Sequence, residues 1–289
     1  MKYRIYVHRS RPKVTQKDIT KIFEGIGVSP SSRDPDIAII VGGDGTFGYF
    51  GRKLEIPMIF VGVMDPNPIG SKASLAEIFL DQLHRGITKI EEGKYYIEKR
   101  GLLSVDCCGH CEDVFTDVYL ERGNFGGCLR YSVSVNTRKI KHNEFGFTDY
   151  AIGNGVIICT ATGSSGYYSY PQRIMSRAIP SHKSQFSNNK LGICHITPYS
   201  LSRVKKGNKF SKYRKPEIQY TIPLPSVIEL NLLRPSKALL YGISHDSTGI
   251  KICKDDTISI QSSSRIAKVI KLKELNNKHL RACMTIVDN

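Results

Sequence analysis

Two patterns of apolar positions divide the chain. Up to about residue 90, short apolar runs alternate with stretches of helical spacing. Residues 2–7 read as a strand. Val14 to Phe23 reads as a helix, with Thr15 and Asp18 at capping-box spacing. Asp36 to Val41 is a continuous apolar run ending at glycines, the pattern of a buried parallel strand, and Pro57 to Val61 is another. Leu75, Ile78, Phe79 and Leu83 recur at helical spacing and predict a helix from Ser71 to His84. Strands and helices in this succession predict an open α/β sheet.

Beyond residue 90 the helical spacing fades. Short alternating runs take over at Lys94–Val105, Val114–Leu120, Leu129–Val135, Val156–Cys159 and Gly192–Ile196. They continue at Glu217–Ile222, Ser226–Leu232, Ala238–Ile243 and Thr257–Ile260, punctuated by glycine, proline and asparagine. Many short strands with turn signals predict a β-sandwich. A last segment, Leu272 to Cys283, has helical character. The expected fold is therefore α+β/α/β: a Rossmann-like α/β domain over 1–88 and a β-sandwich over 89–270. Residues 271–289 are expected to pack back on the first domain.

Composition narrows the function. The 289 residues are 40% hydrophobic and 24% charged, ordinary for a globular protein. No stretch approaches the ~18 apolar residues of a membrane span. The first eight residues lack the apolar centre of a signal peptide, so a cytoplasmic location is expected, with no membrane partner. In such a chain the eight cysteines are expected as reduced thiols. The net charge of +16 favours anionic partners. No nucleic-acid-binding signature accompanies it, which leaves nucleic acid behind nucleotides and polyphosphates. The basic stretch Arg203 to Lys215 reads first as a solvated loop and second as a clamp on phosphates.

The sharpest chemistry lies at Gly42-Gly43-Asp44-Gly45-Thr46, directly after an apolar strand. Ligands of α/β sheets bind at the carboxyl ends of strands. Glycines let a phosphate approach the backbone, whose N–H groups can form an anion-binding nest. Asp44 beside phosphates suits two tasks: accepting a hydroxyl proton or helping to hold Mg²⁺. A plain tight turn with an incidental aspartate is the bland alternative.

The Gly-Gly-Asp-Gly-Thr motif resembles the hallmark of the NAD kinases, shared in shorter form with diacylglycerol and sphingosine kinases. Residues 155–167, GVIICTATGSSGY, resemble the family's DG-(apolar)-STPTGSTAY block. Residues 196–203, ITPYSLSR, are similar to its TP-x-x-PHSLS-x-R stretch. Ser244-His245-Asp246 stands where the family has a VSFDG-like turn, and 254–260, KDDTISI, resembles its GD strand. The blocks follow in family order from about residue 36 to 262. The resemblance implies an α/β domain followed by a nucleotide-binding β-sandwich, in a homodimer or homotetramer. It implies transfer of the γ-phosphoryl group of ATP to the adenosine 2′-hydroxyl of NAD, with Mg²⁺. Carried over, Asp44 is the general base. Gly42, Gly43 and Gly45 cradle phosphates with Thr46 nearby. Thr162, Ser165 and Gly166 line the nucleotide pocket, Tyr167 stacks on a base, and Asp246 lies near the acceptor.

Four departures concern the acceptor. The family's Asn-Glu or Asn-Asp pair is Thr116-Asp117, so a two-headed amide becomes one hydroxyl. The aspartate of the DG pair is Asn154, the serine opening STPTG is Cys159, and the GIN-x-G-x-LGF segment is replaced by residues 62–72. A kinase of this fold acting on another alcohol (a nucleoside, polyol or lipid headgroup) and a non-catalytic nucleotide-binding protein therefore stay open. Cys107, Cys108, His110 and Cys111 crowd five residues, but zinc sites use separated chelating pairs, and a hairpin turn is the simpler account. Neighbouring Cys107 and Cys108 in a strand would point to opposite faces. Cys159 reads as a small buried hydrophobe and His195 as a satisfied structural histidine.

Overall fold

The computed structural model describes residues 1–8, 14–25, 33–63, 72–124, 126–140, 143–175, 186–205, 216–243 and 248–273. The chain forms two compact units. One comprises residues 1–47, 56–99 and 268 onward; the other comprises 48–55 and 100–267.

The first unit is the α/β domain. Strands β1 (Tyr3–Val7), β2 (Ile37–Gly42) and β3 (Met58–Gly62) run parallel, with Ile5 opposite Ile39 and Ala38 opposite Met58. β2 and β3 are buried at every position, which is why their sequences are unbroken apolar runs. Helix α1 (Gln16–Glu24) starts at the expected cap. The Thr15 side chain accepts from the Asp18 N–H, and Asp18 accepts from the Thr15 N–H. Helix α2 (Asp44–Lys53) begins two residues after β2 ends.

A helix is expected over 71–84, but the described residues 72–79 are not helical. Residues 78–79 instead form a short strand, β4 (Ile78–Phe79), beside β3, and helix α3 runs from Leu83 to Glu91. The apolar spacing belonged to two elements. Glu77 donates its N–H to Phe60 O, extending the sheet, and the Gln82 side chain accepts the Phe79 N–H at the entry to the helix. Leu83, Ile87 and Ile90 then bury one face of α3.

The second unit is a sandwich of two mainly antiparallel sheets. It contains the hairpin of β5 (Tyr95–Cys107, from Arg100) and β6 (His110–Val114). After β7 (Asp117–Arg122) come β8 (Leu129–Ile140), β9 (Asn143–Gly153), β10 (Gly155–Cys159) and β11 (Lys190–Ile196). Helix α4 (Tyr170–Met175) lies between β10 and β11. The later strands are β12 (Ser200–Lys205), β13 (Gln219–Pro223), β14 (Ser226–Leu232), β15 (Ala238–Tyr241), β16 (Ile250–Ile252) and β17 (Thr257–Leu272). One sheet has the order β17-β14-β8-β9-β12, the other β13-β11-β10-β7-β15-β16. β14 alternates strictly between buried and half-buried positions, sending Ile228, Leu230 and Leu232 into the shared core. Past residue 267, β17 belongs to the first unit, where Val269 pairs with Met58.

The run expected at Val114–Leu120 is broken. β6 ends at Val114, the chain bends through Phe115-Thr116, and β7 starts at Asp117 in the other sheet. Val114 and Phe115 are both buried, so two neighbours face inward and a flat strand cannot continue. β12 is a second correction. Arg203 to Lys205 is strand, not loop, while 206–215 lies outside the described residues. The segment expected as a helix, Leu272 to Cys283, opens on the last residue of β17 and beyond Lys273 lies outside the described residues, as does Asp246.

Candidate functional site

In the first unit the Gly42–Thr46 motif is a strand-to-helix bend. The Thr46 and Phe47 N–H groups donate to Gly43 O, so the helix starts at once. The first N–H groups of a helix have no carbonyl partner within it, and the peptide dipoles make that end attractive to anions. Gly42 is demanded by packing: a Cβ there would lie 2.7 Å from Thr46 Oγ1. Thr46 is buried in this corner, and its position is explained by the turn itself. A Cβ on Gly45 would meet nothing within 4 Å, which leaves that backbone open to approach. Asp44, first residue of α2, is half-buried, and its Oδ1 accepts the Leu75 N–H at 2.8 Å. The carboxylate is thus held in a defined orientation.

In the second unit three separated segments meet. Thr160 is the hub of the first meeting: its N–H donates to Thr116 O, and its hydroxyl lies 2.8 Å from Phe115 O and 3.1 Å from Thr116 O. The same hydroxyl accepts the Gly163 N–H. A Cβ on Gly163 would stand 2.3 Å from Thr116 O, so glycine alone fits. The Thr116-Asp117 bend and the TGSS turn are thereby locked together. The second meeting involves Asn154, whose amide donates to Thr197 Oγ1 at 2.8 Å. Next to it Gly155 has φ 146°, and a Cβ there would fall 1.8 Å from Leu120 O.

Of the predicted nucleotide-contacting residues here, Gly166 and Tyr167 are exposed, whereas Thr162 and Ser165 are buried. Ser165 O accepts from Arg173, which ties the turn to α4. Tyr167 belongs to an aromatic group that the sequence reading missed. Its ring meets Tyr119 edge-on at 5.4 Å, Tyr119 stacks on Tyr241 at 5.1 Å, and its hydroxyl donates to Glu121 at 2.6 Å. Asp117, Tyr119 and Glu121 alternate with the core residues Val118 and Leu120. The period of two was the available signal: it places all three on the face opposite the core.

Asp117 carries the most informative electrostatics. The residue is only partly exposed. Loss of water pushes its pKa up to about 6, against a lowering hydrogen bond from the Thr116 side chain. Burial likewise raises the Cys159 thiol well above the usual range, as suits a core residue.

His195, fully buried, has Nδ1 3.0 Å from the Tyr131 hydroxyl and Nε2 3.3 Å from Asp149. Arg203, expected in a mobile basic loop, grips the same Asp149 with two hydrogen bonds of 2.7 and 2.8 Å. Asp149 carried no sequence signal, because an isolated charge in a strand reads as solvent-facing.

No profile of a known protein family matches the chain. Curated relatives do. An NAD kinase of Nitrosomonas eutropha is 28% identical over 151 residues, 49% of this chain and 46% of the relative. One of Clostridium kluyveri is 31% identical over 142 residues, 46% of this chain and 44% of the relative. One of Clostridium botulinum is 28% identical over 170 residues, 56% and 54% of the two. The chain spans about half the length of these curated relatives. Among solved structures, an NAD kinase from Archaeoglobus fulgidus in complex with ATP superposes with a TM-score of 0.61 at 16% identity, covering 99% of this chain and 98% of that one. Yeast NADH kinase complexed with NADH gives 0.63 at 13% identity, covering 100% and 88%. The chain is thus similar in sequence to NAD kinases over about half its length, and it shares the fold of two solved structures of NAD and NADH kinases.

Proposed function

We propose that the protein is an NAD kinase, transferring the γ-phosphoryl group of ATP to the adenosine 2′-hydroxyl of NAD. The observation that carries this reading is the bend at Gly42–Thr46, with an open backbone at Gly45 and an oriented carboxylate at Asp44. Phosphoryl transfer asks a protein mainly for positioning and charge neutralisation. The start of α2 supplies N–H groups for phosphate oxygens. Asp44 takes the proton of the acceptor hydroxyl. Gly166 and Tyr167 face the dinucleotide, with Asp117 as the hydrogen-bond acceptor beside them. Thr162 and Ser165 act from below, by shaping the turn.

Among the described residues no three metal-ligating side chains converge. Mg²⁺ in such enzymes keeps several waters and is held by one or two carboxylates plus substrate phosphates. A single half-buried carboxylate, Asp44, fits that demand. When bound, the ion neutralises charge on the transferring phosphates.

A second reading, a kinase of the same fold for another alcohol, is favoured by two observations. The Asn154 amide is engaged with Thr197, and Thr116 offers a single hydroxyl. Incubation with ATP, Mg²⁺ and NAD separates the two. Formation of NADP supports the first; phosphorylation of another alcohol in a metabolite mixture, with no NADP, selects the second.

A further inference from the structure

The tip of the β5–β6 hairpin holds two thiols side by side. Cys107 pairs with His110, leaving Cys108 and Gly109 as the two-residue turn. Both turn residues have left-handed backbones, φ 53° and 77°. That is the turn type matching strand twist, but asparagine, aspartate or glycine normally fills its first position. A cysteine held there carries steric strain. The turn takes Cys108 out of the strand and brings its sulfur within 3.4 Å of Cys107 Sγ, against the expectation of opposite faces. Cys107 is buried and Cys108 is exposed.

The spacing discriminates between occupants. A disulfide normally joins Cα atoms ~4.4–6.8 Å apart, whereas sequence neighbours lie ~3.8 Å apart, so direct closure is strained. A bridging atom with metal–sulfur bonds of about 2.3 Å spans 3.4 Å at an S–M–S angle of roughly 95°. A tetrahedral ion such as zinc would need the sulfurs about 3.8 Å apart, and zinc sites want four ligands. Among the described residues no third metal-ligating group joins the pair. An angle near 95° with two protein ligands suits a pyramidal, thiophilic trivalent centre.

We propose that Cys107 and Cys108 form a dithiol site for trivalent arsenicals. This inference stands apart from the kinase reading. With a monosubstituted arsonous acid, R–As(OH)2, two As–O bonds break and two As–S bonds form. The two thiol protons leave with the hydroxyls as two waters, and arsenic stays trivalent. Burial, then the Cys108 contact, pushes the Cys107 thiol up to about 12, so exposed Cys108 attacks first and Cys107 closes the ring.

The probe is phenylarsine oxide on the reduced, folded full chain, followed by intact-mass spectrometry. One phenylarsenic group should bind, resist excess glutathione and leave with 1,2-ethanedithiol, the behaviour of a dithiol chelate. Cys108→Ser, at an exposed position, should abolish the glutathione-resistant adduct, with folding checked by circular dichroism. Cys111→Ser should retain it. A resistant adduct that persists in Cys108→Ser, or a wild-type adduct that glutathione strips, overturns the proposal.

Discussion

Arg203 and Asp149 sit directly opposite each other on β12 and β9 and join through two hydrogen bonds, at 2.7 and 2.8 Å. The guanidinium lies 3.8 Å from the Phe147 ring centroid and 4.4 Å from that of Tyr220. Asp149 has no exposed surface and also accepts from the Tyr220 hydroxyl at 2.6 Å. Tyr220 and His195 belong to the other sheet, so one carboxylate ties both layers of the sandwich. Removing one member of a buried ion pair leaves the other uncompensated, at a cost of about 3–5 kcal/mol. Arg203→Met should lower the unfolding free energy by about that much, read from urea denaturation. Adding Asp149→Leu to it should recover part of the loss.

The same carboxylate gives a pH signature. Burial acts to raise the Asp149 pKa, but hydrogen bonds from Arg203, His195 and Tyr220 outweigh it and hold the pKa below the usual carboxylate value. Its contribution is therefore present above the unfolded pKa of about 3.9 and is lost as pH falls through the lower folded value. Acid unfolding below about pH 4 should be less steep in Asp149→Asn than in the wild type.

Asp117 has the opposite sign. Its folded pKa, raised to about 6, makes its contribution to stability largest below the unfolded value and lost as pH rises through 6. The ionised form is the one that accepts hydrogen bonds from a ligand. Dinucleotide affinity should therefore climb between pH 5 and 7 with a midpoint near 6, measured by calorimetry. Asp117→Asn should flatten that profile.

Tyr167 offers its ring while Glu121 holds its hydroxyl. Base–aromatic stacking is worth ~1–3 kcal/mol per base. Tyr167→Ala should raise the KM for NAD by at least about fivefold, and Tyr167→Phe, which keeps the ring, by less. Steady-state kinetics on both variants provides the comparison.

What the sequence discloses follows from how local each signal is. β10 is an apolar run and β14 a strict alternation, both legible from their own residues, and the Thr15 cap spans only the four residues from Thr15 to Asp18. β9 escaped because Asp149 and Gly153 occupy inward positions of its alternation, where apolar side chains are expected. Asp149 faces inward only because Arg203, distant in the chain, arrives to meet it. The bend at Gly42–Thr46 was legible from its glycines. The lock between Thr160 and Thr116 was not, since those residues are brought together by β7 and β10 pairing.

The most direct test lies in one side chain. The Asp44→Asn variant and the wild type are compared for initial rates of NADP formation from ATP, Mg²⁺ and NAD, with unchanged circular dichroism as the control for folding. A general base is worth about 100-fold or more, so the variant should lose at least that factor while retaining nucleotide binding. A variant that makes NADP at near the wild-type rate would remove Asp44, and the glycine bend that presents it, from the phosphoryl-transfer step.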